Sequence, residues 1–304
     1  MKLWVVGLCS LPRRNEKEKK MGNIRITADS TCDLSKELVE QYGISVLPLN
    51  IVMDDKSYLD GVETSPEKIY EWADAAHTTP KTAAPGPEAA IEFLRPFVKA
   101  GEEVLFLGIS EQMSVTCQVM RLAADELSYS EHVRVIDSQN LSTGIGLLVL
   151  FAAELAESAD SLDELAQKVS DCRERVRASF VVDTLTYLHR GGRCNAVAAL
   201  LGNTLKLKPR IAVVNGKMGV SKKYRGNREK TVMQYVTDME DELRNAEPRR
   251  VFITHSGIEE EIVESVREYL RGLGHFEEIH VTRAGGVISS HCGRGTLGVL
   301  FVEK

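Results

Sequence analysis

The stretch Val287-I-S-S-H-C-G-R-G-T-L-G-V-L-F301 gathers one histidine, three hydroxyl residues, an arginine and three glycines. His291 offers two ring nitrogens, and Ser289, Ser290 and Thr296 offer hydroxyls that both donate and accept. Gly293, Gly295 and Gly298 remove side chains, so another group can approach the backbone closely. This composition suits a small anionic or polar group meeting an apolar surface. It also suits an ordinary tight turn. Three other segments carry comparable groups. His189-R-G-G-R193 reads as a helix C-cap and turn, or as an arginine whose fork binds carboxylate or phosphate. Thr82-A-A-P-G-P87 reads as a loop leading into a helix, with a hydroxyl for a ligand or for the turn. Ser114-V-T-C-Q118 opens a helix, where free N–H groups attract an anion.

Several familiar chemistries lack their equipment. A nucleophilic hydrolase needs an activated serine with a histidine and an acid, yet no G-x-S-x-G elbow is present. His255 and Ser256 are adjacent, so on a strand they point to opposite faces. There is no G-x-x-x-x-G-K-[ST], and no G-x-G-x-x-G follows a strand to open a helix. The seven histidines are dispersed without any H-x-x-x-H spacing, which gives no metal site. No catalytic residue and no cofactor are assigned on this reading.

Residues 206–230 stand apart. They hold nine Lys or Arg (206, 208, 210, 217, 222, 223, 225, 228 and 230) against one acid, Glu229. The segment reads as a solvated hairpin around Asn215-Gly216, or as a docking face for a phosphate or an acidic partner.

The elements that must position these groups follow from composition and pattern. The chain has 304 residues, 43% hydrophobic and 27% charged, with net charge -6. This is an ordinary globular composition, sized for about two domains, with no global reason to expect nucleic acid. No apolar run reaches a membrane span, and Ile145 to Ala153 reads as a buried helix segment. Six scattered cysteines without a C-x-x-C pair fit reduced thiols in a cytoplasm. Residues 1–22 place most of their charge after the apolar Leu3 to Leu11, the wrong order for a secretion signal. They read as an extension or a misassigned start, with Met21 as the natural beginning.

Apolar runs at Ile24–Ser30, Glu103–Ser110, Val133–Ser138 and Val251–Gly257 read as strands, each with a serine at or near its end. Asp33 is expected to cap a helix ended by Gly43, and Ser65-Pro66 to open another. Pro87 to Gly101 reads as a helix kinked at Pro96, and Ser161 to Arg177 shows helical periodicity. Strands alternating with helices imply α/β architecture with mostly parallel sheets, whose ligands collect at the carboxyl ends of strands. The expected division is an N-terminal α/β domain over 23–175 and a C-terminal α/β domain over 176–304, the latter opening with Phe180-V-V-D-T184.

Taken in order, six segments resemble the DegV family of bacterial fatty-acid-binding proteins. They are Ile26-T-A-D-S-T-C-D-L34, Lys81-T-A-A-P-G-P-E88, Ile109-S-E-Q-M-S-V-T-C-Q118, Val135-I-D-S-Q-N-L-S-T-G-I-G146, Tyr187-L-H-R-G-G-R193 and Gly286-V-I-S-S-H-C-G-R-G-T-L-G-V299. The resemblance implies two α/β domains with a lipid site between them. It implies a long-chain fatty acid as ligand, with Thr82, Ser114 and His291 around the carboxyl and Arg193 nearby. The glycine-rich segment is then expected to let that carboxyl reach His291. A separate fatty acid kinase subunit is the implied partner, and Arg225, Lys222 and Lys223 match the region expected to meet it. The resemblance leaves room for transient contact with a membrane surface. The competing reading is a serine hydrolase or acyltransferase using Ser114 and His291. Thr82-A-A-P85, Val115, Cys117 and Arg294 depart from the family's usual residues.

Overall fold

A computed structural model describes residues 24–194 and 207–304. The expected extension, residues 1–22, and Lys206 lie outside them. The first sheet follows from four apolar runs: β1 (Ile24–Asp29), β2 (Ser45–Leu47), β6 (Glu103–Gly108) and β7 (Val133–Asp137). They lie in the order β2-β1-β6-β7, and every pairing is parallel. Their crossovers include α1 (Lys36–Gln41), α3 (Pro87–Ala100) and α4 (Thr116–Glu126). Between β2 and β6 a small antiparallel sheet, β3 (Asn50–Met53), β4 (Lys56–Leu59) and β5 (Lys81–Ala83), accompanies α2 (Pro66–Ala76). Thr82 therefore sits on a strand rather than in the expected loop.

Local signals explain most helix ends. Ser65 caps α2 with Pro66 in its first turn, and Ser161 caps α6 (Leu162–Arg173). Helix α3 runs on through Pro96 and ends at Gly101 with φ 67. The expected cap at Asp33 is overturned. Ser35 caps α1, accepting from the Leu38 N–H, while Asp33 is buried and bonded to distant groups. Helix α5 (Thr143–Ala156) contains the apolar Ile145 to Ala153 run and is buried along most of its length. A helix apolar all round belongs in a core. It touches β1 and β6 on one side and β8 (Val176–Val181) and β13 (Leu297–Glu303) on another, so one apolar cluster spans both large sheets.

The second large sheet has the order β10-β9-β8-β13-β11-β12. Its further strands are β9 (Leu207–Val214), β10 (Lys217–Arg225), β11 (Ala246–His255) and β12 (Glu278–Arg283), with α7 (Thr186–Gly191), α8 (Arg228–Thr237), α9 (Glu240–Arg244), α10 (Glu260–Gly272) and α11 (Gly286–Cys292) between strands. The chain is mixed α/β, as expected, but the parallel expectation stops at the first sheet. Here only β11–β12 is parallel among the described pairings. Two features account for three of the four antiparallel pairings. Asn215 and Gly216, with φ 50 and 77, make the tight hairpin between β9 and β10. The last strand, β13, inserts between β8 and β11 against the direction of both. No helix among the described residues is long and apolar enough to cross a membrane.

Candidate functional site

Helix α11 carries His291 in its last turn. Its Nε2 lies 2.8 Å from Oγ1 of Thr82 on β5. His291 and Thr82 line a cavity of 460 Å³ together with Ser114 and Arg193. All four expected head-group residues thus reach one space, from β5, the turn before α4, the turn after α7, and α11. The remaining wall is mainly apolar and includes Leu49, Ile109, Met113, Met218, Val287 and Ile288. The volume falls within the ~300–1,000 Å³ range of small-molecule clefts.

Burial, then the nearby Arg193 charge, holds the His291 pKa down at about 4. The ring is therefore neutral at neutral pH. Among the described residues its Nδ1 is buried without a hydrogen-bond partner. A Cβ placed on Gly191 would stand 2.2 Å from that nitrogen, so the ring packs against a bare helix backbone. The Gly191-Gly192 pair is expected at a helix C-cap and turn. Gly192 does serve that role, with φ 67, while Gly191 makes room for the imidazole. Arg193 is exposed and donates to the Gly191 carbonyl at 2.8 Å. Ser114 shares a 2.8 Å hydrogen bond with Thr116.

Two expectations change here. Gly293, Gly295 and Gly298 do not line the cavity. A Cβ at these positions would meet the Tyr187 ring, the Arg228 side chain and the Ser179 carbonyl, each within 3.0 Å. These glycines admit the protein's own groups, not a ligand. The nearby hydroxyls are likewise used internally: Ser289 donates to Ala284 O, Ser290 to Gly286 O and Thr296 to Cys292 O. The serines at strand ends behave similarly. Ser30 donates to Asp60, Ser110 to Gly216 O, Ser138 to Asn140 O and Ser256 to Gly293 O.

The geometry offers no nucleophile and base in contact at Ser114 and His291. Among the described residues, the Ser114 hydroxyl bonds Thr116 and the His291 Nε2 bonds Thr82. No carboxylate orients the ring from Nδ1, as an acyl-transfer triad would require.

The basic hairpin is less charged than its composition. Lys208 and Arg228 both pair with Asp183, Arg228 also meets Glu259, Arg210 meets Glu242, and Lys222 meets Asp238 at 2.6 Å. Lys217, Lys223, Arg225 and Lys230 remain exposed, and among the described residues no carboxylate pairs with them. The partner carboxylates come from other elements, which residues 206–230 alone do not reveal. Met218 of the same hairpin reaches the cavity wall, a contact that its spacing did not signal.

A mixed α/β chain with a polar cradle at the edge of an apolar cavity has the form of a small-molecule cleft. The chain belongs to the DegV family: that family's sequence model, described as "Uncharacterised protein, DegV family", matches residues 23–304. A DegV domain-containing protein of Clostridium perfringens is 33% identical over 284 residues, covering 93% of this chain and 100% of the relative. A DegV family protein of Thermus thermophilus, whose solved structure is described as fatty acid binding, is 32% identical with TM-score 0.84, covering 92% of this chain and 99% of that one. DegV of Bacillus subtilis, described as a fatty acid binding protein, is 28% identical with TM-score 0.79, covering 93% and 100% of the two chains.

Proposed function

We propose that this chain binds one long-chain fatty acid between two α/β domains, residues 23–175 and 176–304. The carrying observation is that Thr82, Ser114, Arg193 and His291 converge on one mainly apolar cavity. The fatty acid binding described for the Thermus thermophilus and Bacillus subtilis relatives supports the same reading. The carboxyl lies with Thr82, Ser114 and His291. With the proton on Nε2, the neutral ring donates one hydrogen bond, and the Arg193 charge offsets the carboxylate. Burying about 14 methylenes at roughly 0.8 kcal/mol each gives on the order of 11 kcal/mol gross. Association costs several kcal/mol, so tail burial by itself leaves micromolar or weaker binding. The hydrogen bonds offset desolvation of the head group.

The protein presents that carboxyl in the cytoplasm to a separate kinase subunit, which forms the acyl phosphate. Arg225, Lys222 and Lys223 face this partner, and Lys222 does so while paired with Asp238. Native mass spectrometry of protein purified from bacteria tests the ligand. A co-purified long-chain fatty acid is expected. Protein that is ligand-free and also refuses added palmitate and oleate would refute the reading.

A further inference from the structure

Helix α11 presents His291 but has no side-chain cap of its own. Its N-cap residue is Gly285, and the first helical N–H groups need acceptors from elsewhere. Two buried carboxylates supply them from more than two hundred residues away. The Gly285 N–H donates to Asp33 Oδ1 at 2.8 Å, and the Gly286 N–H donates to Asp60 Oδ1 at 2.8 Å. Each carboxylate is held from its other oxygen: Ser142 donates to Asp33 Oδ2 at 2.6 Å, and Ser30 to Asp60 Oδ2 at 2.8 Å. Asp33 and Asp60 are 5% and 4% exposed. Burial pushes the Asp33 carboxyl up to about 8 and raises that of Asp60, so their oxygens hold the helix start as hydrogen-bond acceptors rather than through full negative charge.

The glycine pair is what admits this arrangement. A Cβ on Gly285 would lie 3.0 Å from Asp33 Oδ1, and one on Gly286 would lie 2.7 Å from Asp60 Oδ1 and 2.6 Å from Ile51 Cδ1. The helix has seven residues, so it is about 10 Å long at 1.5 Å per residue. A helix this short does not persist by itself. Fixing its first turn therefore bears on its last turn, in a helix that packs besides against α7 and α2.

We propose that Asp33 and Asp60 are positioning residues for His291, acting as remote caps that set where α11 holds the imidazole against Thr82. The effect on ligand rests on the fatty-acid reading, but the effect on the ring does not.

The test compares Asp33→Ala, Asp33→Asn and Gly285→Ala with wild type. The readouts are palmitate affinity by calorimetry, thermal unfolding, and the ring resonances of His291 by NMR. Asp33→Ala should weaken palmitate about tenfold and move the His291 resonances, because the helix loses an acceptor that fixes its start. Asp33→Asn keeps an acceptor oxygen and should recover affinity to within about threefold of wild type. Gly285→Ala, a milder change, keeps the protein testable if Asp33→Ala fails to fold, and it should shift both readouts in the same direction. A folded variant, Asp33→Ala or Gly285→Ala, that only unfolds at lower temperature while palmitate affinity and the His291 resonances stay at wild-type values would overturn the proposal. If wild type binds no palmitate, the fatty-acid reading fails, and the His291 resonances alone still decide the positioning role.

Discussion

Nε2 of His291 stands 2.8 Å from Oγ1 of Thr82, two residues 209 positions apart in the chain. The contact joins α11 to the small antiparallel sheet and closes one side of the cavity. Thr82→Val tests its worth. Valine suits a strand position, but it leaves the buried His291 Nε2 without its partner, so the ligand-free protein should lose about 1 kcal/mol or more of stability. Loss of a hydrogen bond to a charged carboxylate is worth roughly 1.5–3 kcal/mol. Palmitate affinity by calorimetry should fall about ten- to a hundredfold. Unchanged affinity would remove Thr82 from the head-group cradle.

His291 should titrate near pH 4, not near 6.5, because its environment penalises the imidazolium. NMR of the ring carbons reads this directly, and Arg193→Ala should raise the midpoint. The stability consequence has a definite sign. The folded pKa is below the unfolded one, so the unfolded chain binds the proton first as pH falls. Stability contributed by the neutral ring is present above about pH 6.5 and is lost as pH falls toward 4. Between pH 7.5 and 5, wild type should lose more stability in urea melts than His291→Gln does. Equal losses, or a midpoint near 6.5, would mean that the ring is solvated.

Gly191→Ala isolates the close approach at the back of the ring. Gly191 lies within helix α7, where alanine by itself stabilises by roughly 0.5–1 kcal/mol. The new Cβ would meet His291 Nδ1 at 2.2 Å, so one of the two must move. Weaker palmitate binding and reduced stability are expected. Adding His291→Ala removes the clash, and the double variant should regain stability relative to Gly191→Ala. Additive losses in this cycle would show that the contact is not responsible.

The sequence made the first sheet readable because each of its long strands is a short apolar run between turn signals, as in Glu103 to Gly108. The helix opening at Ser65-Pro66 was equally local. The second sheet was not readable in the same way. Nothing in Leu297 to Glu303 says that β13 will enter between β8 and β11. The site divides along the same line. Thr82, Ser114, Arg193 and His291 came from motifs in order, and the resemblance gave them a common purpose. Asp33 was misread as a local cap because its partners, Ser142 and Gly285, lie 109 and 252 residues away. The glycines after His291 were misread because the groups that they admit, such as the Tyr187 ring, are neighbours only in the folded chain.

Binding and transfer should separate by mutation. Ser114 lines the cavity, whereas Arg225 is exposed on β10 and does not. Ser114→Ala removes a hydroxyl from the head-group cradle, a loss of roughly 1.5–3 kcal/mol if it serves a carboxylate, so palmitate affinity should fall about ten- to a hundredfold. Arg225→Ala leaves the cavity wall untouched, and palmitate affinity should stay within about a factor of two of wild type. Its effect should fall on acyl-phosphate formation with a cognate kinase subunit at limiting carrier. Wild-type turnover should also decline with added salt, because exposed charges are screened over about 8–10 Å at moderate ionic strength. Lys223→Ala should add to the loss, since among the described residues no carboxylate holds that side chain. Lys222→Ala should cost less, because Asp238 already neutralises it. Calorimetry with palmitate and a paired kinase assay read the two effects on the same preparations. If Arg225→Ala abolishes palmitate binding, or leaves limiting-carrier turnover unchanged, this strand does not face the kinase.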